Sequence, residues 1–272
     1  MRPHGGFSAR NSEENWGDPN TVSARMGATG QDRLQAVVQK HIADERSRDE
    51  FLHFHLSVVQ KLWSVEWLAG KIAKLEPELV WGSEVYNDPE RGQWSANIEE
   101  FGRMANLWLD CFLMNSMASL DTLAHEIKVL YVLGTPSKAG FGPDRTNIKT
   151  VRNDLVRHHP DRRLTKYLES QLKDDGWFGT FSMYRHCTTH ESVIGSNIHL
   201  DIQFGRVREV EVPLPDDPRE RPFKNRHRRE LKPYCEKTTK NVRKLVDRSY
   251  RLMLADIEEA KYCLLYTSDA AD

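Results

Sequence analysis

Two short stretches of this chain mix arginine, histidine and polar residues at spacings that could do chemistry on a phosphate. The first reads Val151-Arg152-Asn153-Asp154-Leu155-Val156-Arg157-His158-His159, the second Tyr184-Arg185-His186-Cys187-Thr188-Thr189-His190-Glu191. Arginine offers a rigid fork of donors that matches phosphate oxygens, and histidine exchanges a proton near neutral pH. Together they suit cleavage of a phosphodiester with no metal and no cofactor. RNA carries its own nucleophile in the 2′-hydroxyl, so the protein need not supply one. On an ideal helix, however, Arg185 and His190 point about 140° apart and Arg152 and His158 about 120° apart, so neither pair makes a compact site alone. A plainer role is open to each set. Arg152, Arg157 and His158 would serve as a solvated face pairing with Asp154 and Asp161, and Arg185 and His190 as structural partners that fasten a short helix.

A second chemistry is metal binding. His186 and His190 are four residues apart, as are Asp121 and His125, so each pair would share one helix face, and facing helices could gather them around zinc or iron. HExxH and paired Glu-x-x-His motifs are absent, so a metal-dependent helical-bundle enzyme ranks behind the metal-free reading and no residue is assigned as a ligand. His53 and His55, two apart, are expected on a helix surface. Between Arg219 and Lys232 the run RERPFKNRHRRELK holds seven Lys or Arg against two Glu, a local charge of +5. Arg226, Arg228 and Arg229, with Arg157 near the first motif, are the candidate nucleic-acid contacts, and binding through them would weaken with salt. The same run could simply solubilise the surface. Neither GxGxxG nor GxxxxGK[ST] occurs, which argues against a dinucleotide or P-loop site.

The Arg/His stretches resemble the motif of the HEPN superfamily, small helical bundles in prokaryotic toxins, phage-defence proteins and RNA-processing nucleases. Its pattern is Arg followed after four to six residues by His, often with a polar residue after the Arg. Arg152-Asn153 with His158 has five intervening residues, and Arg185-His186 with His190 has four. The resemblance spans roughly Asp32 to Lys261. It implies a homodimer whose facing copies build a cleft that binds or cuts single-stranded RNA without a metal, in defence or stress response. Arg185 and His190 are then one candidate catalytic set, with Tyr184 beside them and His186 as the polar position. Arg152 and His158 are the other, with Asn153 as the polar position. A non-enzymatic helical protein that docks a protein partner is the alternative.

The elements that must carry these residues are helices. Phe51, Phe54, Val58, Leu62, Val65, Ala69 and Ile72 step by three or four within a first region from about Gln31 to Leu75, which Pro77 should stop. A loop is expected from Trp81 to Gln93. Ile98, Phe101, Ala105, Leu109, Phe112, Ser116, Leu120, Leu123, Ile127 and Leu130 then predict a long second helix, where Ser116, Ala118 and Ser119 allow another helix to approach. A third helix starts near Thr146, is interrupted at Pro160, and continues through Leu164, Leu168 and Leu172. A short helix follows from Trp177 to Thr189. The period changes at Ile198, Leu200 and Ile202, and again at Val210 and Val212, predicting a β-hairpin over 197–212 that the run PLPDDPRERP ends. A last helix, about Glu230 to Lys261, carries Cys235, Thr238, Val242, Leu245, Ser249, Met253 and Ile257 on one side. The expected fold is mainly α, an antiparallel bundle of four to five long helices with a small hairpin insertion.

Composition frames these readings. The 272 residues contain 39 Lys+Arg and 40 Asp+Glu, so the chain is not basic throughout, although a local basic surface remains open. No run of 18 apolar residues occurs, and the first thirty residues lack the apolar centre of a signal peptide, so a soluble, cytoplasmic protein with a disordered lead-in over 1–30 is expected. The four cysteines are too far apart for a zinc knuckle or a disulfide framework, and Cys111 falls in an apolar helical run. The last ten residues, CLLYTSDAAD from Cys263 to Asp272, resemble the translation of a sequencing-library adapter, which would end the natural chain near Tyr262.

Overall fold

A computed structural model describes residues 33–34, 36–38, 45–81, 91–131, 146–190, 198–203, 206–220, 224 and 226–268; for 76–81, 91–100, 190, 199–203, 206–210 and 260–268 it describes the backbone only. The lead-in expected over 1–30 lies outside the described residues. Three long helices make the frame: α1 (Glu45–Trp81), α2 (Arg91–Leu130) and α6 (Leu231–Ser268). Between α2 and α6 come the shorter α3 (Ile148–His158), α4 (Arg163–Gln171) and α5 (Trp177–His190), followed by the strands β1 (His199–Gln203), β2 (Arg206–Glu211), β3 (Pro213–Leu214) and β4 (Arg229–Glu230). The chain is mainly α, a helical bundle with a small antiparallel hairpin, as the periodicities predict. Of these six helices three are long and three short, and residues 33–34 and 36–38 are helical as well.

The apolar stripes explain how the long helices meet. Phe54 of α1 stacks on His125 of α2 at 4.7 Å, whereas Lys71 lies over both Trp67 of α1 and Trp108 of α2. Rising numbers on one helix therefore meet falling numbers on the other, and α1 and α2 are antiparallel. Helix α6 runs antiparallel to α1, with Arg243 paired to Glu66 and Tyr250 against His55, and parallel to α2, with Tyr250 on Glu126 and Asp256 on Tyr131. Phe51, Val58, Leu62, Val65 and Ile72 from α1, Leu109, Phe112, Leu120 and Ile127 from α2, and Val242, Leu245, Val246 and Met253 from α6 fill the space between them, each essentially fully buried. At about 1.5–3 kcal/mol for a fully buried aliphatic or phenyl group, this packing is the main favourable contribution to the fold.

Several boundaries differ from those expected, for local reasons. Pro77 does not stop α1, which continues to Trp81. A proline removes one donor and crowds the preceding turn, which can bend a helix without ending it. Helix α2 begins at Arg91, inside the stretch expected to be loop, and includes Gly92. Pro160 does separate α3 from α4. The hairpin pairs His199 with Glu211 and Gln203 with Arg206, and a register shift at Asp201/Ile202 leaves Arg208 as the extra residue of a bulge. A second ladder, Pro213 with Glu230 and Leu214 with Arg229, is too short to leave a period in the sequence. Helix α6 passes through Tyr262 and ends at Ser268. Among the described residues no helix is long and apolar enough to cross a membrane.

Candidate functional site

The second arginine motif opens onto a cleft built by three helices. Arg185 of α5, Asp121 and Met117 of α2, and Asn147, Ile148 and Lys149 at the start of α3 line a cavity of about 180 Å³, together with Ser182 and Phe178 of α5. The start of α3 is fixed by its own sequence. Asn147 is the N-cap: its side chain accepts from the backbone N–H of Lys149 and Thr150, both at 3.0 Å, and the Thr150 hydroxyl accepts from the Asn147 N–H at 3.0 Å. Asp121 Oδ1 accepts the first helical N–H, that of Ile148, at 3.2 Å. The helix end is thus satisfied by the protein itself, and any anion in the cleft would have to be held by side chains.

Those side chains are Arg185, Lys149 and Ser182. The Arg185 guanidinium makes no hydrogen bond or ion pair among the described residues, and its Nε is enclosed without a partner. Lys149 donates to Asp174 Oδ1 at 3.0 Å and lies 5.5 Å from the Phe178 ring. The Lys149 hydrogen bond and charge hold the Asp174 carboxyl below the usual carboxylate range. An enclosed N–H without an acceptor is costly, and a bound oxyanion would satisfy it. His190 is the last residue of α5, and its side chain lies outside the described residues. His186 is exposed on another face of the helix. Tyr184 and Thr189 do not orient the guanidinium. The Tyr184 hydroxyl is buried and donates to Pro215 O, while Thr189 Oγ1 donates to the Arg185 carbonyl at 2.8 Å.

The first motif is arranged differently. Arg152 gives Nε and Nη2 to Asn153 Oδ1, at 3.1 and 2.7 Å, and Nη1 to Leu172 O at 3.2 Å. Its guanidinium therefore ties α3 to the end of α4. Arg152, Asn153, Arg157 and Glu169 line one open groove, whereas His158 lines another with His159, Arg162, Arg163, Asp256 and Glu259. Arg152 and His158 are not brought together within one chain, as their 120° separation on a helix implies. Arg157 is exposed, 3.9 Å from Asp154.

Much of the basic run is neutralised by its neighbours. Arg219 donates to both Asp217 oxygens, at 2.9 and 2.6 Å, and Lys224 donates to Glu220 at 2.8 Å. Asp216 accepts the backbone N–H of Arg226 and His227 and pairs with the His227 ring at 2.9 Å. Burial pushes the Asp216 carboxyl up, but these hydrogen bonds and the His227 charge outweigh it and leave the group below its usual range. Arg226 and Arg228 are exposed, Arg228 with a left-handed φ of 44°. Arg229 turns inward, giving Nη1 to the Tyr184 hydroxyl at 2.9 Å with its guanidinium 5.6 Å from that ring. It clamps β4 to α5, so only Arg226 and Arg228 of the three face outward.

The metal alternative finds no support in the placement of its residues. Asp121 caps α3 while His125 stacks on Phe54, and among the described residues no group of three or more His, Cys, Asp or Glu could hold a metal ion. His55, expected on a surface, is instead 4% exposed. Its signal was present in the sequence: Phe51, His55, Val58 and Leu62 step four, three and four, so His55 falls on the apolar stripe. Lys149 and Ser182 were also missed as cleft residues, and no motif marks them. No family model, no curated protein and no solved structure matches this chain.

Proposed function

We propose that this protein is a HEPN-like RNA-binding protein that grips the phosphate backbone of single-stranded RNA at the Arg185 cleft. The observation that supports the reading is the half-buried Arg185, whose enclosed Nε has no protein partner, beside Lys149 and Ser182 in a cavity of about 180 Å³. Arg185 would take the phosphate oxygens through its fork, with Lys149 adding charge from the opposite wall. The exposed Arg226 and Arg228 would hold the strand farther along. Cleavage is the finer part of the proposal. His190 would take the proton of the ribose 2′-hydroxyl, whose oxygen attacks the adjacent phosphorus as the bond to the 5′-oxygen breaks. The products are a 2′,3′-cyclic phosphate and a 5′-hydroxyl once the leaving oxygen is protonated, and Arg185 offsets the charge that develops on the phosphate.

A pool of RNAs incubated in chelator with wild type, Arg185→Ala, His190→Ala and His158→Ala tests both parts. Arg185→Ala is expected to weaken binding about tenfold, as loss of one charge-assisted phosphate contact would. His190→Ala is expected to bind normally and not cut. Loss of cutting in His158→Ala alone would move the chemistry to the Arg152 segment. Failure of wild type to bind any RNA would remove the reading.

The outer face of α1 and α2 favours a protein partner as well, and a second copy of the chain is the partner that the HEPN resemblance implies. Leu56, Trp63 and Trp67 on α1 and Met104, Leu107 and Met114 on α2 are exposed, Leu56 by 67%. Met114 Sδ lies 3.4 Å from Thr189 Oγ1 of α5, so the apolar face reaches the helix that carries Arg185. Light scattering at micromolar concentration is expected to show a dimer for wild type and a monomer for Trp63→Glu/Leu107→Glu. A wild-type monomer would overturn the dimer.

A further inference from the structure

The three long helices meet at a cluster of polar side chains that RNA binding does not use. Glu126 of α2 is wholly buried, and Tyr250 of α6 donates its hydroxyl to Glu126 Oε1 at 3.0 Å. On its other side Glu126 Oε2 faces His55 Nδ1 of α1 at 3.7 Å, beyond hydrogen-bond reach, and neither atom has another hydrogen-bond partner. His55 is held in place by rings: it lies parallel to Phe51 at 6.1 Å and against Tyr250 at 5.1 Å. The groups acting on Glu126 are His55 and Tyr250, and Asp247 of α6 acts on Tyr250 in turn.

We propose that His55, Glu126 and Tyr250 form a proton-sensitive lock at the junction of α1, α2 and α6, in which a proton on the enclosed Glu126 carboxyl keeps the junction uncharged and holds the three helices together. With that proton in place the buried carboxyl carries no charge. Withdrawing it leaves a carboxylate with a single hydrogen bond, from Tyr250, among apolar side chains and 3.7 Å from the nearest ring nitrogen. Tyr250 cannot compensate, because its one hydroxyl proton is already given to Oε1. Helix α2 connects the lock to the cleft, since Asp121, five residues before Glu126, caps α3 and lines the Arg185 cavity. The inference does not depend on the RNA-binding reading.

The sign follows from where the proton is lost first. Burial raises the Glu126 carboxyl above its ordinary 4.5, with His55 and Tyr250 offsetting part of the effect. In the unfolded chain the same carboxyl ionises earlier, so as pH rises through this window the folded state binds more protons and stability falls. The test is a set of thermal and urea unfolding curves between about pH 5 and about pH 8 for wild type and Glu126→Gln. Relative to Glu126→Gln, the wild-type folding constant is expected to fall with rising pH, by at most about tenfold per pH unit for one proton. Parallel curves for the two proteins would overturn the lock. If Glu126→Gln does not fold, carboxyl ¹³C NMR of wild type decides: a Glu126 signal titrating above the ordinary glutamate range supports the lock, and one titrating within it overturns the lock.

Discussion

Gly179→Ala is expected to destabilise the protein by about 3 kcal/mol, although alanine is by intrinsic preference the better helix former by about 1 kcal/mol. Gly179 lies in the first turn of α5. A Cβ there would collide with the carbonyl oxygen of Asp174 and come within 2.5 Å of its carbonyl carbon and 2.8 Å of its Cα. These are backbone atoms, so no side-chain rotation relieves the clash and the segment ending α4 must move as a unit. That segment carries Asp174, which pairs with Lys149, and Leu172 O, which holds Arg152. Both arginine segments should therefore respond. Urea unfolding of Gly179→Ala beside Gly70→Ala measures the effect. A Cβ added at Gly70 would meet nothing within 4 Å, so Gly70→Ala should gain the small helix preference instead. A Gly179→Ala protein as stable as wild type would show that α5 does not lie against Asp174.

Phe112→Ala is expected to cost about 3–5 kcal/mol, by lost transfer of the ring from water and by the cavity it leaves. Phe112 is among the largest fully buried side chains, on the face of α2 whose stripe continues through Leu109, Leu113, Leu120 and Leu123. Two long neighbouring helices cannot collapse into the space without breaking their other contacts, so little of the loss can be recovered by relaxation. The melting temperature should fall by on the order of 10 °C. Arg103→Ala, on the same helix but exposed, should stay within about 0.5 kcal/mol of wild type. Equal losses at the two positions would mean that the inner and outer faces of α2 are assigned wrongly.

The sequence made these faces readable because a repeated three-four spacing leaves little freedom in which side of a helix turns inward. The stripes are buried from Phe101 to Ile127 on α2 and from Cys235 to Met253 on α6, as expected, while Leu130 and Ile257 at their ends are half-buried, and the alternation at Ile198 to Ile202 marks β1. Legibility ended where one residue acts against a long pattern. Pro77 and Gly92 are strong punctuation locally, but each sits in a helix of 37 or 40 residues that continues through it. The candidate site was half legible. Arg185 could be singled out by type and spacing, whereas Asp121, Asn147, Lys149 and Ser182 join it only through the packing of α2, α3 and α5. Polar residues on an apolar stripe were the overlooked signal, and His55 is the clearest case.

The order in which the chain is made gives the Glu126 cluster a history. Helices α1 and α2 follow one another and can pair as soon as both have left the ribosome, because their contacts close only a short loop. Tyr250 is 124 residues beyond Glu126, and Arg243 is 177 beyond Glu66, so α6 arrives after α1 and α2. Until then Glu126 lies on a two-helix hairpin that is open on the α6 side, where water can hydrate an ionised carboxylate. Docking of α6 removes that water and brings the hydroxyl that replaces one of its hydrogen bonds. Helix α6, made after the hairpin, is thus the one that commits the carboxyl to the interior, and a chain released before Tyr250 would leave that acid hydrated and the hairpin unsealed.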